Sequence, residues 1–140
     1  MKKRCTTVLG MAICCMMLLT SAWAGDNGTI SVGGKTWLKD AACLGQLNWS
    51  GAMNRVATLA SGQCGLTDKS NAGQWRLPTI YELQGMFAAK SSFSSIKSYY
   101  YWSSTVDSNN NSLAYNLDMR NKDSRLFNKT QSFYVLAVKK

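Results

Sequence analysis

Seven acidic side chains and no histidine set the chemistry this chain can offer. Without histidine, Ser-His and Cys-His nucleophile pairs are excluded, together with most transition-metal sites. A carboxylate pair could still exchange protons with a substrate, and the candidates are Asp68, Glu82, Asp107 and Asp118. Glu82 stands three residues after Thr79, the spacing of a helix capping box, while Asp68 and Asp107 fall in turn-like sequence. No catalytic residue is assigned, and the chain is read as a non-enzyme. Asp68, Asn71, Asp107 and Asn109 to Asn111 offer oxygen ligands for calcium, but without EF-hand spacing. No metal site and no cofactor is assigned.

Cations give a sharper signal. Lys and Arg number 16 against 7 Asp and Glu, a formal +9, and the excess favours polyanionic partners without dictating a fold. Arg120, Lys122, Arg125 and Lys129 crowd into one short stretch, and Lys139-Lys140 follows. If 112–119 and 124–128 pair as a hairpin, these charges gather at its tip and along one edge. That patch would attract sulfated or phosphorylated polymers through a salt-dependent field. The plainer alternative is a solvated edge strand using Lys and Arg to block aggregation. Tyr99-Tyr100-Tyr101-Trp102 is a second handle, because successive strand residues point to opposite faces. Either two of the four face solvent, a sugar or a protein partner, or the 90–98 segment covers the second face.

The elements that must carry these groups read as follows. Ile30-Ser31-Val32 and Lys35 to Leu38 alternate around Gly33-Gly34 and predict a hairpin. Asn48 or Ser50 caps a helix running to about Ala60, with Ala52, Val56, Leu59 and Ala60 on its inner face. Gln74-Trp75-Arg76-Leu77-Pro78 leads into a second helix, about Ile80 to Ala89, burying Ile80, Leu83 and Phe87. Pro78 keeps Leu77 out of the α region, so the helix starts after it. Arg76 has no partner evident from its neighbours. Strands are expected at 99–105, 112–119, around 125–127, and at 132–138 as one strong final strand. The whole is an α+β domain, two helices packed on an antiparallel sheet.

The first 24 residues are expected to be an export signal. Lys2-Lys3-Arg4 precedes the apolar run Val8–Leu19, and Ala22-Trp23-Ala24 is a small-x-small cleavage site. The run is short of the roughly 20 residues a membrane span needs. Residues 25–140 then form a single exported domain, periplasmic or extracellular, with no membrane span and no nucleic-acid partner. Cys43 and Cys64 are the two cysteines of that domain, and an oxidising compartment makes them one disulfide, or else two buried free thiols.

Taken together and in order, several of these pieces resemble the bacterial Lcl C-terminal domain family, named for a collagen-like adhesin. They are Trp75-Arg76-Leu77-Pro78-Thr79 with Glu82-Leu83, Tyr101-Trp102-Ser103-Ser104-Thr105, Ala114-Tyr115 and Tyr134-Val135-Leu136-Ala137-Val138. Asn48-Trp49 with Ala52, and Gly62-Gln63-Cys64-Gly65-Leu66-Thr67-Asp68, also fit. The resemblance spans about residues 36–138. It implies a C-type-lectin-like fold, distantly similar to formylglycine-generating enzymes, and adhesion through sulfated glycosaminoglycans. The cysteine and metal chemistry of those enzymes has no counterpart here, nor do the Glu-Pro-Asn or Trp-Asn-Asp signatures of calcium-dependent sugar binding. The expected function is thus recognition of an anionic glycan through Arg120, Lys122, Arg125, Lys129, Lys139 and Lys140. The alternative is a protein-interaction subunit of an envelope or secreted complex, docking through Tyr99 to Trp102.

Overall fold

The computed structural model describes residues 26–140, and the expected export signal lies outside the described residues. Strands β1 (Thr29–Val32) and β2 (Lys35–Leu38) pair antiparallel as a hairpin in the expected register, Val32 opposite Lys35. Gly33 and Gly34 both take positive φ there, which a two-residue turn of this hand requires. A short β3 (Gln46–Leu47) precedes helix α1 (Trp49–Ala57), capped by Asn48, whose side chain accepts from Gly51 N at 2.8 Å. The helix stops before Ala60 because the chain turns at Thr58, and the turn sends Leu59 back into the core.

β4 (Trp75–Arg76) leads through Pro78 into α2 (Ile80–Met86). Thr79 accepts from Glu82 N while the Glu82 carboxylate accepts from Thr79 N, the capping box that the spacing predicts. The helical path then tightens into a 3-10 helix, Phe87–Ser92. This change of pitch buries Met86, whereas Phe87, expected inside, is half-buried. β5 (Tyr100–Val106), β6 (Leu113–Asp118) and β7 (Ser124–Asn128) follow as an antiparallel meander, with Leu113 opposite Asn128.

The strands form two sheets and not one. The first has the order β1-β2-β9-β4 and the second β3-β8-β5-β6-β7. The expected single strand over 132–138 is in fact two short ones, β8 (Phe133–Tyr134) and β9 (Val138–Lys139), one in each sheet. Val135, Leu136 and Ala137 pass between the sheets and are wholly buried. A half-exposed strand alternates, but this run is apolar on both sides because protein covers it on both sides. β8 also lies parallel to β5, so the second sheet is not purely antiparallel.

The second sheet is covered on both faces. Trp102 and Ala114 join Ala52 and Val56 of α1 in one core cluster, while Tyr101 and Leu117 join Ile80, Leu83 and Met86 of α2 in another. The helices therefore flank that sheet from opposite sides. Cys43 and Cys64 are disulfide-bonded across a sequence separation of 21. By the chain-entropy model such a loop closure contributes roughly 3 kcal/mol. Thermal melting with and without a thiol reductant should show a clear drop in Tm; equal curves would mean that native strain cancels the entropic gain.

Candidate functional site

The expected six-cation patch falls into three separate places. Arg120 and Lys122 lie in the turn between β6 and β7, and Arg125 sits at the β7 end nearest that turn. Lys129 is beyond the other end of β7, where its ammonium lies 4.1 Å from the centre of the Trp49 ring and 3.4 Å from Asn111 Oδ1. Lys139 belongs to the first sheet, 2.8 Å from the buried Asp68 carboxylate, with Lys140 following it. Lys129 and Lys139 are thus engaged within the fold.

At the β6–β7 turn the cations are partly compensated. Arg120 Nε and Nη2 donate to Asp118 at 2.8 and 2.7 Å, and its guanidinium lies 5.3 Å from the Tyr100 ring centre. Hydrogen bonds from Arg120 outweigh burial and hold the Asp118 carboxyl below its ordinary pKa. Arg125 reaches Asp123 only at 3.9 Å, both side chains being exposed. Two further cations arrive from elsewhere in the chain. Lys90, from the 3-10 helix, donates to Met119 O. Lys97 is exposed two residues before Tyr99, whose carbonyl accepts from Met119 N. This end of the second sheet therefore carries Arg120, Lys122 and Arg125 with Asp118 and Asp123, Lys90 reaches it through Met119 O, and Lys97 enters the same end of β5 two residues before Tyr99. Sequence reading missed Lys90 and Lys97 because they lie in a stretch with no regular period; only the pairing of Tyr99 with Met119 brings them there.

The aromatic run does not form a continuous surface. Tyr101 and Trp102 are buried on opposite faces of the sheet. Tyr101 OH donates to Ala41 O and accepts from Lys97 N, both at 2.9 Å, and burial pushes its phenol up to about 12. Trp102 Nε1 donates to Leu47 O at 2.8 Å. Tyr100 packs on Phe127 and Phe133, which leaves only Tyr99, 40% exposed, to present a ring. The 90–98 segment does cover one face, through Phe93 and Ile96 in the α2-side cluster.

Glu82, Asp68 and Asp118 are each tied to cations of their own. Glu82 accepts both guanidinium nitrogens of Arg76, at 2.7 and 2.9 Å, the Thr79 N–H at 2.9 Å, and the Lys35 ammonium at 3.1 Å. Arg76 first, then the cap and Lys35, hold its carboxyl far below the usual carboxylate range against the opposing effect of burial. Arg76, whose partner the sequence left open, is thus paired with the carboxylate that caps the helix. Asp68 accepts from Ser70 and meets Lys139, and Ser70 in turn accepts from Trp75 Nε1. Among the described residues no three Asp, Glu, Cys or His side chains converge. Nor is any helix among them long and apolar enough to cross a membrane.

An α+β domain with two sheets, one disulfide and a doubly held Trp-Arg-Leu-Pro-Thr cap is the class of protein described. The model of the Lcl C-terminal domain family matches residues 31–139, and the chain belongs to that family. No curated protein matches the chain closely enough to be called a relative.

Proposed function

We propose that this chain is an exported, non-catalytic binding module on a C-type-lectin-like scaffold, and that it recognises anionic, sulfated glycans. The observation that carries this reading is the excess of cations at one end of the second sheet, five against two carboxylates. Family membership supports it, since the adhesin for which the family is named binds sulfated glycosaminoglycans through this domain. The site is narrower than the six residues first assigned: it comprises Lys97, Arg120, Lys122 and Arg125, with Lys90 beside them but engaged by Met119 O and the Phe87 ring much as Lys129 is by Asn111 and Trp49. Lys129 and Lys139 serve the fold, and Lys140 lies with Lys139 in the other sheet.

Heparin chromatography at two salt concentrations tests the proposal. Retention at low salt should be lost at moderate salt, because exposed charges are screened within about 10 Å at 0.1 M. Arg120→Ala is a poor probe, since it strands the buried Asp118 carboxylate. Lys97→Ala with Lys122→Ala removes two exposed cations that have no carboxylate partner among the described residues. At roughly 0.2–1 kcal/mol per exposed ionic contact, loss of two should lower affinity about two- to thirtyfold. Elution unchanged in that double variant would overturn the site.

A further inference from the structure

Helix α2 reads Ile80-Tyr81-Glu82-Leu83-Gln84-Gly85-Met86, and Ile80, Leu83 and Met86 point into the core. Its outer side carries two residues that folding does not explain. Tyr81 is 78% exposed. Gly85 is four residues on, hence on the same helix face, where glycine is unfavourable relative to alanine. Nothing demands that glycine sterically: a Cβ built there meets no atom within 4 Å.

The two residues border one groove. It holds about 290 Å³ between the β1–β2 hairpin and α2, with Val32 and Trp37 on one wall and Tyr81, Gly85 and Met86 on the other. Its rim is ionic. Glu82 is already satisfied by Arg76 and the Thr79 N–H, so Lys35 is a surplus cation, with 45% of its side chain exposed at the rim. Arg76 lies behind Glu82 and outside the lining, so the Arg76–Glu82–Lys35 cluster carries one net positive charge and Lys35 is the cation it presents to the groove. The walls offer few hydrogen-bond partners for sugar hydroxyls, while the volume suits one large side chain and falls at the small end of ligand pockets.

We propose that this groove is a docking site for a partner polypeptide, taking one apolar side chain between Tyr81 and Val32, above the buried Trp37, with a neighbouring acidic residue on Lys35. The apolar walls select the side chain, and the positive rim selects its acidic neighbour. Gly85 keeps the groove open at the expense of helix propensity. None of these residues belongs to the cationic sheet end, so this site stands or falls independently of the glycan reading.

The test uses two blocked peptides, acetyl-Gly-Asp-Leu-Asp-Gly-amide and acetyl-Gly-Lys-Leu-Lys-Gly-amide, titrated into the folded domain with nitrogen-15 NMR detection. Saturable shifts of the Trp37 indole and the Gly33 and Gly85 amides are expected with the acidic peptide, and at least severalfold weaker binding with the basic one. Lys35→Glu should reverse that preference, and Gly85→Leu should abolish the shifts by filling the groove. Gly85→Ala, which fills little, should raise Tm by about 2–6 °C, because it removes only the backbone-entropy cost of glycine. The proposal is overturned by the absence of saturable shifts with the acidic peptide, by shifts that persist in folded Gly85→Leu, or by equal binding of the two peptides. Glucuronate saturating the same resonances where the acidic peptide does not would assign the groove to a sugar and overturn it as well.

Discussion

Glu82→Ala is expected to lower the stability of the domain by roughly 3–4 kcal/mol, combining the loss of one side of a part-buried ion pair with loss of a helix cap. Arg76 and Lys35 would be left as like charges without their common anion, and the Thr79 N–H would lose its acceptor. Thr79→Ala removes only the other half of the box and should cost about 1 kcal/mol. The double variant Arg76→Ala with Glu82→Ala should be less damaging than the two single changes summed, since no unpaired charge remains. Urea titration of the wild type, the three single variants and the double variant measures all of this; strict additivity would mean that Arg76 and Glu82 contribute separately. The same residue sets an acid limit. Its folded carboxyl ionises well below the unfolded one. Its contribution is therefore complete above about pH 5 and drains away as pH falls below the unfolded value near 4.3 toward the folded one. Glu82→Gln should flatten the pH dependence of stability in that range.

A chain ending at Ser132 is expected not to fold at all. The missing residues would include Phe133, Val135, Leu136, Ala137 and Val138, all buried. Each large apolar side chain among them contributes about 1.5–3 kcal/mol of burial, so their sum rivals the 5–15 kcal/mol that holds a whole domain together. The topology makes the loss worse. β9 stands between β2 and β4, and β8 between β3 and β5, so both sheets would be split. Near-ultraviolet circular dichroism should show no fixed aromatic signal. A cooperative melt of the truncated chain would refute the assignment of β8 and β9 as central strands.

Local rules made much of the scaffold readable. Thr79 with Glu82, Gly33-Gly34 between alternating pairs, Asn48 before Trp49 and the Cys43–Cys64 pair each rest on contacts within a few residues or on simple counting. The β6–β7 hairpin followed from turn residues between alternating segments. What escaped depends on partners far away along the chain. No period separates one buried strand from two short ones, so 132–138 read as continuous. Arg76 could not be paired because its carboxylate lies six residues on, across a proline turn. Lys139 looked like part of a carboxy-terminal basic cluster, yet strand order carries it to Asp68 in the other sheet. Lys90 and Lys97 enter the cationic end only through the contacts of Lys90 with Met119 O and of Tyr99 O with Met119 N.

The crossing segment Val135–Ala137 fixes when this molecule can become itself. The β1–β2 hairpin and the β5–β6–β7 meander can pair from nearby residues, but both sheets stay split until β8 and β9 insert. Contacts of long sequence separation, β2 with β9 and β3 with β8, close slowly. Until that moment the apolar edges of both half-built sheets are open to other chains, so the interval before β8 and β9 insert is when aggregation competes with folding.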